Sequence, residues 1–497
     1  MTALSPCHPV PLSLCDPVIM PRDFERRAVA ALEDDLQRST LTRSTGILNQ
    51  LRVSGFADTA PFRQLQAEAR AVRLAALSRL PELLQQLDAQ ARANGIEVFW
   101  AEDAQAANRY ILALAEARRI RQATCSRSTV LEEIGLDAAL AEAGVGVRLT
   151  QVGDYILHLA EDTPSHMVYP ALHLRKETVA ALFEERLDVP RTLDIQALGN
   201  VVRFKLRRPI LESTLSVGGV ALAVAETGTL ALASASGEDR FAIAASPIHV
   251  AVMGIEQVAA TLDDLALLLP LLSRSAGGQP LPAVTTLLNG PLPADAADGP
   301  RELHLVILDN GRSDLLRWGY GEALACIRCG ACQNACPVYR EIGGHAYSDR
   351  GSGPIDSVVL PLLPAASTTQ SAKLRSTRSP ISLAAEPGSA LAQLPPLRGT
   401  PFASLPRAST LCGACSEVCP VGIDIPGLLV RLRSDLVKAG EIGVGQRLLR
   451  RAYRWGMADA GRYRRLHQML RRNHALRGWP SPAAQTFRQR WQAKRSP

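Results

Sequence analysis

The stretch that most constrains this chain is Cys326-Ile-Arg-Cys329-Gly-Ala-Cys332-Gln-Asn-Ala-Cys336-Pro337. A tight loop through the small Gly330 can turn three thiolates onto one inorganic centre. The fourth cysteine opens a helix that leaves in another direction, and Pro337 suits the first turn of that helix, where an N–H would have no partner. The spacing is the one that holds cubane iron–sulfur clusters, in which the fourth cysteine serves the other cluster. A second half is then required, and Cys412-Gly-Ala-Cys415-Ser-Glu-Val-Cys419-Pro420 supplies it; seven of the ten cysteines fall in the two runs. Paired CxxC units also bind zinc. Zinc needs neither a third cysteine two residues on nor the Cys-Pro ending twice, and a disulfide framework fits least.

The two runs are unequal. Superposing them on their Cys-Pro ends puts Cys412, Cys415 and Cys419 on the second, third and fourth positions and Ser409 on the first. The fourth corner of a second cluster then falls to Ser409, to water, to another side chain or to nothing, and Ser409 could equally just begin a turn. Serine oxygen is a harder and less acidic ligand than thiolate, so a second cluster that readily becomes [3Fe-4S] is expected.

At 497 residues the chain has room for two or three domains. No apolar run reaches the ~18 residues that a membrane helix needs. Met1 to Met20 lacks a basic leader and is broken by Pro6, Pro9, Pro11 and Pro17, so it reads as a disordered extension (residues 1–22) rather than a secretory signal. Clustered thiolates without an export signal point to a reducing cytosol. Cys7, Cys15 and Cys125 read as incidental.

From Arg22 to Asn94 the pattern is helical, with breaks at Pro61 and Pro81 and a glycine stop at Gly95. Strands are expected at Ile96–Trp100, Val145–Thr150, Tyr155–Leu159, Val217–Val224, Thr229–Ala233, Phe241–Ala244, Val250–Met253 and Leu303–Leu308. Helices are expected around 103–118, 128–143 and 179–187. Alternation of this kind predicts an α/β domain over residues 23–312 with a largely parallel sheet. Polar stretches beside glycine mark candidate strand ends, where open α/β sheets bind ligands: Glu132-Glu133, Ser165-His166, Glu226-Thr227-Gly228-Thr229, His249, Gly254-Ile-Glu256 and Asp309-Asn310-Gly311-Arg312. Taken singly, Glu226, His249 and Glu256 read as satisfying backbone groups. No phosphate loop, dinucleotide fingerprint, HExxH or GxSxG motif occurs.

Residues 313–445 form the expected α-helical two-cluster domain. Within it, Pro361 to Pro406 holds eight prolines and seven serines, a composition that buries too little surface to order itself, so 365–400 reads as a flexible insert. From Gln446 to Pro497 there are 14 Lys and Arg against one acid, Asp459, in a chain of net charge +7. This basic tail suits an acidic partner or, less well, anionic lipid; nucleic acid is not expected, since no reading module accompanies the charge. A solvated face paired with the chain's own acidic body is the bland reading.

The order of motifs resembles the lactate-utilisation iron–sulfur proteins of bacteria, the ferredoxin-like subunits of a three-protein L-lactate oxidation system. The matching residues are Ser165-His166, Ala225-Glu226-Thr227-Gly228-Thr229, His249 with Gly254-Ile-Glu256, Asp309 to Ser313, Cys326-Ile-Arg-Cys329-Gly-Ala-Cys332, Pro337-Val-Tyr339-Arg340, Gly343-Gly344-His345-Ala346-Tyr347 and Leu411-Cys412-Gly-Ala-Cys415. Departures are Ser234 to Arg240, where the family carries an asparagine-rich turn, and Gln257, where lysine is usual. The resemblance implies an isomerase- or CoA-transferase-like α/β domain and two [4Fe-4S] clusters. By analogy Cys326, Cys329, Cys332 and Cys419 hold the first and Cys336, Cys412 and Cys415 the second. It implies an electron-transfer subunit of a complex that oxidises L-lactate to pyruvate, working with the other subunits and a quinone or another carrier, in the cytoplasm or at the inner membrane face. Two other readings are an equivalent subunit for a different 2-hydroxy acid such as glycolate, and a redox-sensing or scaffold protein.

Overall fold

The computed structural model describes residues 24–234, 236–282, 284–363, 397, 402–440, 444–459 and 461–465. The expected extension at 1–22, nearly all of the insert at 365–400 and the tail beyond 465 lie outside the described residues. Six parallel strands make the central sheet, in the order β1-β10-β7-β4-β2-β3. These are β1 Glu97–Ala101, β2 Gln122–Cys125, β3 Gly146–Leu149, β4 Leu215–Gly219, β7 Ile248–Gly254 and β10 Glu302–Leu308. β7 is buried along its whole length and β10 nearly so, as expected where helices cover both faces of a parallel sheet.

The period-two alternation of those central strands divides the core in two. Ala251, Met253, Leu303, Leu305 and Ile307 pack with Leu80, Leu83, Leu84 and Leu87 of helix Leu80–Ala93. Val250, Val252, Val306 and Leu308 face the other way, onto Ala107 and Ile111 of helix Ala104–Ala117 and onto Val130, Leu131 and Ile134. A smaller mixed sheet, in the order β8-β5-β6-β9, holds β5 Leu222–Val224, β6 Thr229–Ser234, β8 Val258–Ala259 and β9 Val284–Leu288.

Three sequence expectations change. Tyr155–Leu159 lies in helix Val152–Ala160 and Phe241–Ala244 in helix Glu238–Ala245; short apolar runs do not distinguish a strand from a buried helical turn. Val217–Val224 is two strands in different sheets, β4 and β5. The break expected at Pro81 is present: helix Phe62–Ser78 ends just before it, and Pro81 sits in the first turn of Leu80–Ala93.

Helix Asp35–Gly55 packs on helix Leu262–Gly277 of the α/β part and on helices Ala331–Ala335 and Pro337–Ile342 of the first cysteine run. The N-terminal helices thereby clamp the cysteine region to the sheet, and the residues up to Asp435 pack as one compact unit. The second unit, from Leu436 on, carries helix Val444–Met457. Arg462 stacks on Trp455 within it, its guanidinium 5.1 Å from the ring centroid. Among the described residues no helix is long and apolar enough to cross a membrane.

Candidate metal centre

The two cysteine runs repeat one backbone device. Arg328 and Gly330 have φ of +60° and +73°, and their counterparts in the second run, Leu411 and Gly413, have +58° and +86°. Each left-handed pair turns the chain sharply before a short helix, Ala331–Ala335 or Ala414–Glu417. Glycine is needed at 330 for a second reason, because a Cβ there would lie 2.8 Å from Cε1 of His166.

The cysteines gather across the runs. Cys332 lies in the electrostatic reach of Cys326, Cys329, Cys415 and Cys419, and Cys329 in that of Cys419 and Cys326. Cys415 senses Cys336 and Cys412. Charge interactions thus link Cys419 to the first run's Cys326, Cys329 and Cys332, and Cys336 to the second run's Cys412 and Cys415, while Cys332 also reaches Cys415. Burial raises the thiols of the first set, that of Cys419 to about 11. Burial raises Cys415 to about 12. Cys412 is exposed, and its thiol is lowered by the N–H of Ala414 and then by the Thr410 hydroxyl. Backbone N–H groups also point at sulfur: Arg328 at Cys326, Ala331 at Cys329, Tyr339 at Cys336, Ser416 at Cys415 and Ile423 at Cys419. Thiolate donors surrounded by N–H groups suit an electron-rich iron–sulfur cluster, whose potential such bonds tune. Ser409 is half-buried at the start of the second run.

The first run is locked to the α/β part by polar side chains. Arg73 is 1% exposed and donates to the carbonyls of Ala325 (3.2 Å), Leu324 (3.1 Å), Val258 (2.8 Å) and Glu256 (2.6 Å). Gln333 accepts from Met167 N–H at 3.2 Å and donates to the carbonyls of Gly351 and Ser352 at 2.7 and 3.1 Å. The Tyr339 hydroxyl donates to the Ser165 carbonyl at 2.6 Å. His166 Nδ1 accepts the N–H groups of Val168 and Tyr169, both at 3.1 Å, so its proton sits on Nε2. Burial lowers this imidazole to about 3, and it is neutral.

The flagged strand-end residues divide into two groups. Glu133, Glu256, Asn310 and Arg312 converge at the carboxyl edge of the parallel sheet. Arg312 makes a bidentate pair with Glu133 (2.9 and 2.8 Å) and meets Glu256 at 2.6 Å, with Asn310 also donating to Glu133. Burial alone would raise Glu133, but the charge and hydrogen bonds of Arg312 outweigh it and the carboxyl is lowered. Glu226 instead accepts the N–H of Leu262 at 3.3 Å, and His249, near the amino end of β7, pairs with Ser216 at 2.8 Å; both serve the fold. Sequence reading missed Arg127, which pairs with Asp154 (3.0 Å) and Glu132 (2.7 Å), and Arg328, which pairs with Asp356 (3.3 Å). The signal for Arg127 was its place just past β2 and before a helix. A cavity lined by Glu132, Glu133, Arg328, Arg350 and Asp356 separates this sheet edge from the first run.

The fold and its cysteines define a two-part class: a LUD domain, matched by residues 84–308, followed by a 4Fe-4S dicluster domain, matched by residues 322–423. The chain is 34% identical over 88% of its length to lactate utilization protein B of Macrococcus caseolyticus, covering 85% of that protein. It is 35% identical over 89% of its length to lactate utilization protein B of Geobacillus thermodenitrificans, covering 84% of it. It is also 35% identical, over 84% of its length, to the uncharacterized electron transport protein YkgF of Escherichia coli, covering 81% of it. The chain belongs to the lactate utilization protein B family.

Proposed function

We propose that this chain is the iron–sulfur electron-transfer subunit of a complex that oxidises L-lactate to pyruvate, with Cys326, Cys329, Cys332 and Cys419 holding one [4Fe-4S] cluster and Cys336, Cys412 and Cys415 a second. The observation that supports this reading is that the last cysteine of each run lies within electrostatic reach of the other run, Cys419 of Cys326 and Cys329 and Cys336 of Cys412 and Cys415. When bound, the clusters supply one-electron storage and transfer. The residues around them fix the thiolates, shield the first group from water and point N–H dipoles at the sulfurs. Zinc fits less well. A tetrahedral zinc would bring its sulfurs to about 3.8 Å of one another, whereas among the described residues the one group with three ligand atoms within 4.8 Å is Asp162, His173 and His345.

The α/β part contributes the sheet edge and cavity that face the first cluster, and the partners are the other subunits of the lactate-utilisation system together with a quinone or another carrier. The basic tail from Gln446 docks on an acidic partner surface; its helix exposes Leu448, Tyr453 and Trp455. Anaerobic purification should return about eight irons with matching acid-labile sulfide per chain, and co-expressed partners should add lactate-dependent dye reduction. Stoichiometric zinc would overturn the cluster assignment, and glycolate-dependent reduction without a lactate response would overturn the substrate. Deleting residues 446–497 should weaken assembly in a salt-sensitive way.

A further inference from the structure

We propose that Ser409 faces the fourth corner of the second cluster, occupying there the place that Cys326 occupies in the first, so that one iron of this cluster is held by a weak oxygen ligand and is exchangeable. The inference rests on the two-cluster reading above and goes beyond it in assigning a ligand and a function to one corner.

Three observations carry it. The left-handed residues of the two runs coincide when the Cys-Pro ends are superposed: Arg328 with Leu411, Gly330 with Gly413. The backbones therefore make the same turn two residues beyond Cys326 and Ser409. The side chains also make the same bond, for Cys326 Sγ accepts the N–H of Arg328 at 3.3 Å and Ser409 Oγ accepts that of Leu411 at 3.1 Å. An N–H two residues on thus fixes the donor atom in each run, and Oγ lies where the repeat puts a sulfur. Finally, Ser409 is clamped from both sides. Its N–H donates to the Arg407 carbonyl at 2.8 Å, and its own carbonyl accepts from Arg433 at 3.1 Å.

The neighbouring hydroxyls are engaged elsewhere. Thr410 is exposed and gives its hydroxyl to Cys412, and Tyr347 is turned to Cys336 and to the Ala408 carbonyl. Ser409 has no acceptor for its own hydroxyl proton among the described residues, so Oγ can release that proton to water as it binds an iron. A serine oxygen is a harder and more basic donor than thiolate, so this iron is the one least firmly held. On mild oxidation one electron passes from the cluster to ferricyanide and one ferrous ion leaves, which converts the [4Fe-4S] centre into [3Fe-4S].

The test uses the anaerobically purified full chain and its Ser409→Cys and Ser409→Ala variants, titrated with ferricyanide. The readouts are the three-iron electron paramagnetic resonance signal and the iron released. The wild type should give one three-iron centre per chain, Ser409→Cys on the order of tenfold less at equal oxidant, and Ser409→Ala the signal as isolated or with the first additions. A Ser409→Cys signal equal to the wild type, or an alanine variant that keeps its fourth iron as firmly as serine does, would overturn the assignment. Iron and sulfide content, measured first, separates this from failure of the two-cluster reading, which would show as a wild type with one cluster or none.

Discussion

The two cysteine runs share a backbone and differ in how completely the surrounding packing covers it: Cys415 and Cys419 are as buried as Cys329 and Cys332, but Cys412 is exposed. The first is sealed between the α/β sheet and the N-terminal helices, with Cys329 and Cys332 7% and 9% exposed, and it is held by Arg73, Gln333, Tyr339 and Asn334, whose amide donates to the Ala276 carbonyl at 3.3 Å. The second lies on a rim. Cys412 is exposed, and the run is tied by Arg433, which donates to the carbonyls of Pro406 and Ser409 at 2.7 and 3.1 Å, and by Gln66, which donates to the Cys419 carbonyl at 2.6 Å. One loop design thus serves two environments: a dry, rigid centre against the α/β part, and a wetter one open to a partner or an electron carrier. The contrast teaches that cysteine spacing sets what is bound, whereas the surrounding packing sets how firmly and how accessibly.

The largest effect should come from the arginines that fix each run. Arg73→Met strands four buried carbonyls around Ala325 and Glu256 and is expected to cost on the order of 3–5 kcal/mol. Arg433→Met, at a partly open site, should cost about 1 kcal/mol or less. Chemical denaturation of both variants, with iron content followed through the transition, measures the difference. Equal costs would break the comparison, since they would mean that the rim run is as tightly packed as the sealed one.

Accessibility should give the next largest separation. In chain stripped of iron under native conditions, iodoacetamide should label Cys412 on the order of tenfold or more faster than Cys329 or Cys332, because only the exposed sulfur can be reached and its thiolate is favoured by the Ala414 N–H. Peptide mapping over a time course reads the order. Loading with iron and sulfide should protect Cys412 along with the others.

The iron–sulfur domain and the parallel-sheet class were legible because each rests on local pattern. Sulfur spacing needs only the loop, and the long apolar stretches of β7 and β10 announce buried strands. The helices at Val152–Ala160 and Glu238–Ala245 were not legible, since runs of about five apolar residues fit either period. Nor was Arg73, which sits in a helix with Arg63, Arg70 and Arg79 nearby, and nothing in the sequence marks the one that reaches four carbonyls. Of the strand-end residues, Glu133, Glu256 and Arg312 looked alike with Glu226 and His249. Only the strand order separated the carboxyl edge from the rest.

The smallest expected effect concerns pH and should touch the first cluster alone. Glu132 lines the cavity beside Arg328, which stands between Cys326 and Cys329. Burial raises its carboxyl to about 7, against the pull of Arg127 and Arg350 and with Asp154 and Asp137 adding to the rise; Glu133 and Asp356 face the same cavity. Below pH 7 Glu132 is neutral, and as pH rises through 7 it gains a negative charge near the first cluster. An added electron is then less welcome, so the first cluster's reduction potential should fall over that interval while the second cluster's stays level. The folded chain also holds this proton more tightly than the unfolded chain, whose glutamate titrates near 4.3. Glu132 therefore makes stability decline between roughly pH 4 and 7 and adds no slope above that. Glu132→Gln should flatten both trends. Redox titrations followed by electron paramagnetic resonance at pH 6 and 8 decide the matter, and a shift of equal size in both clusters, or one that survives Glu132→Gln, would show that the cavity does not couple a proton to the sealed run.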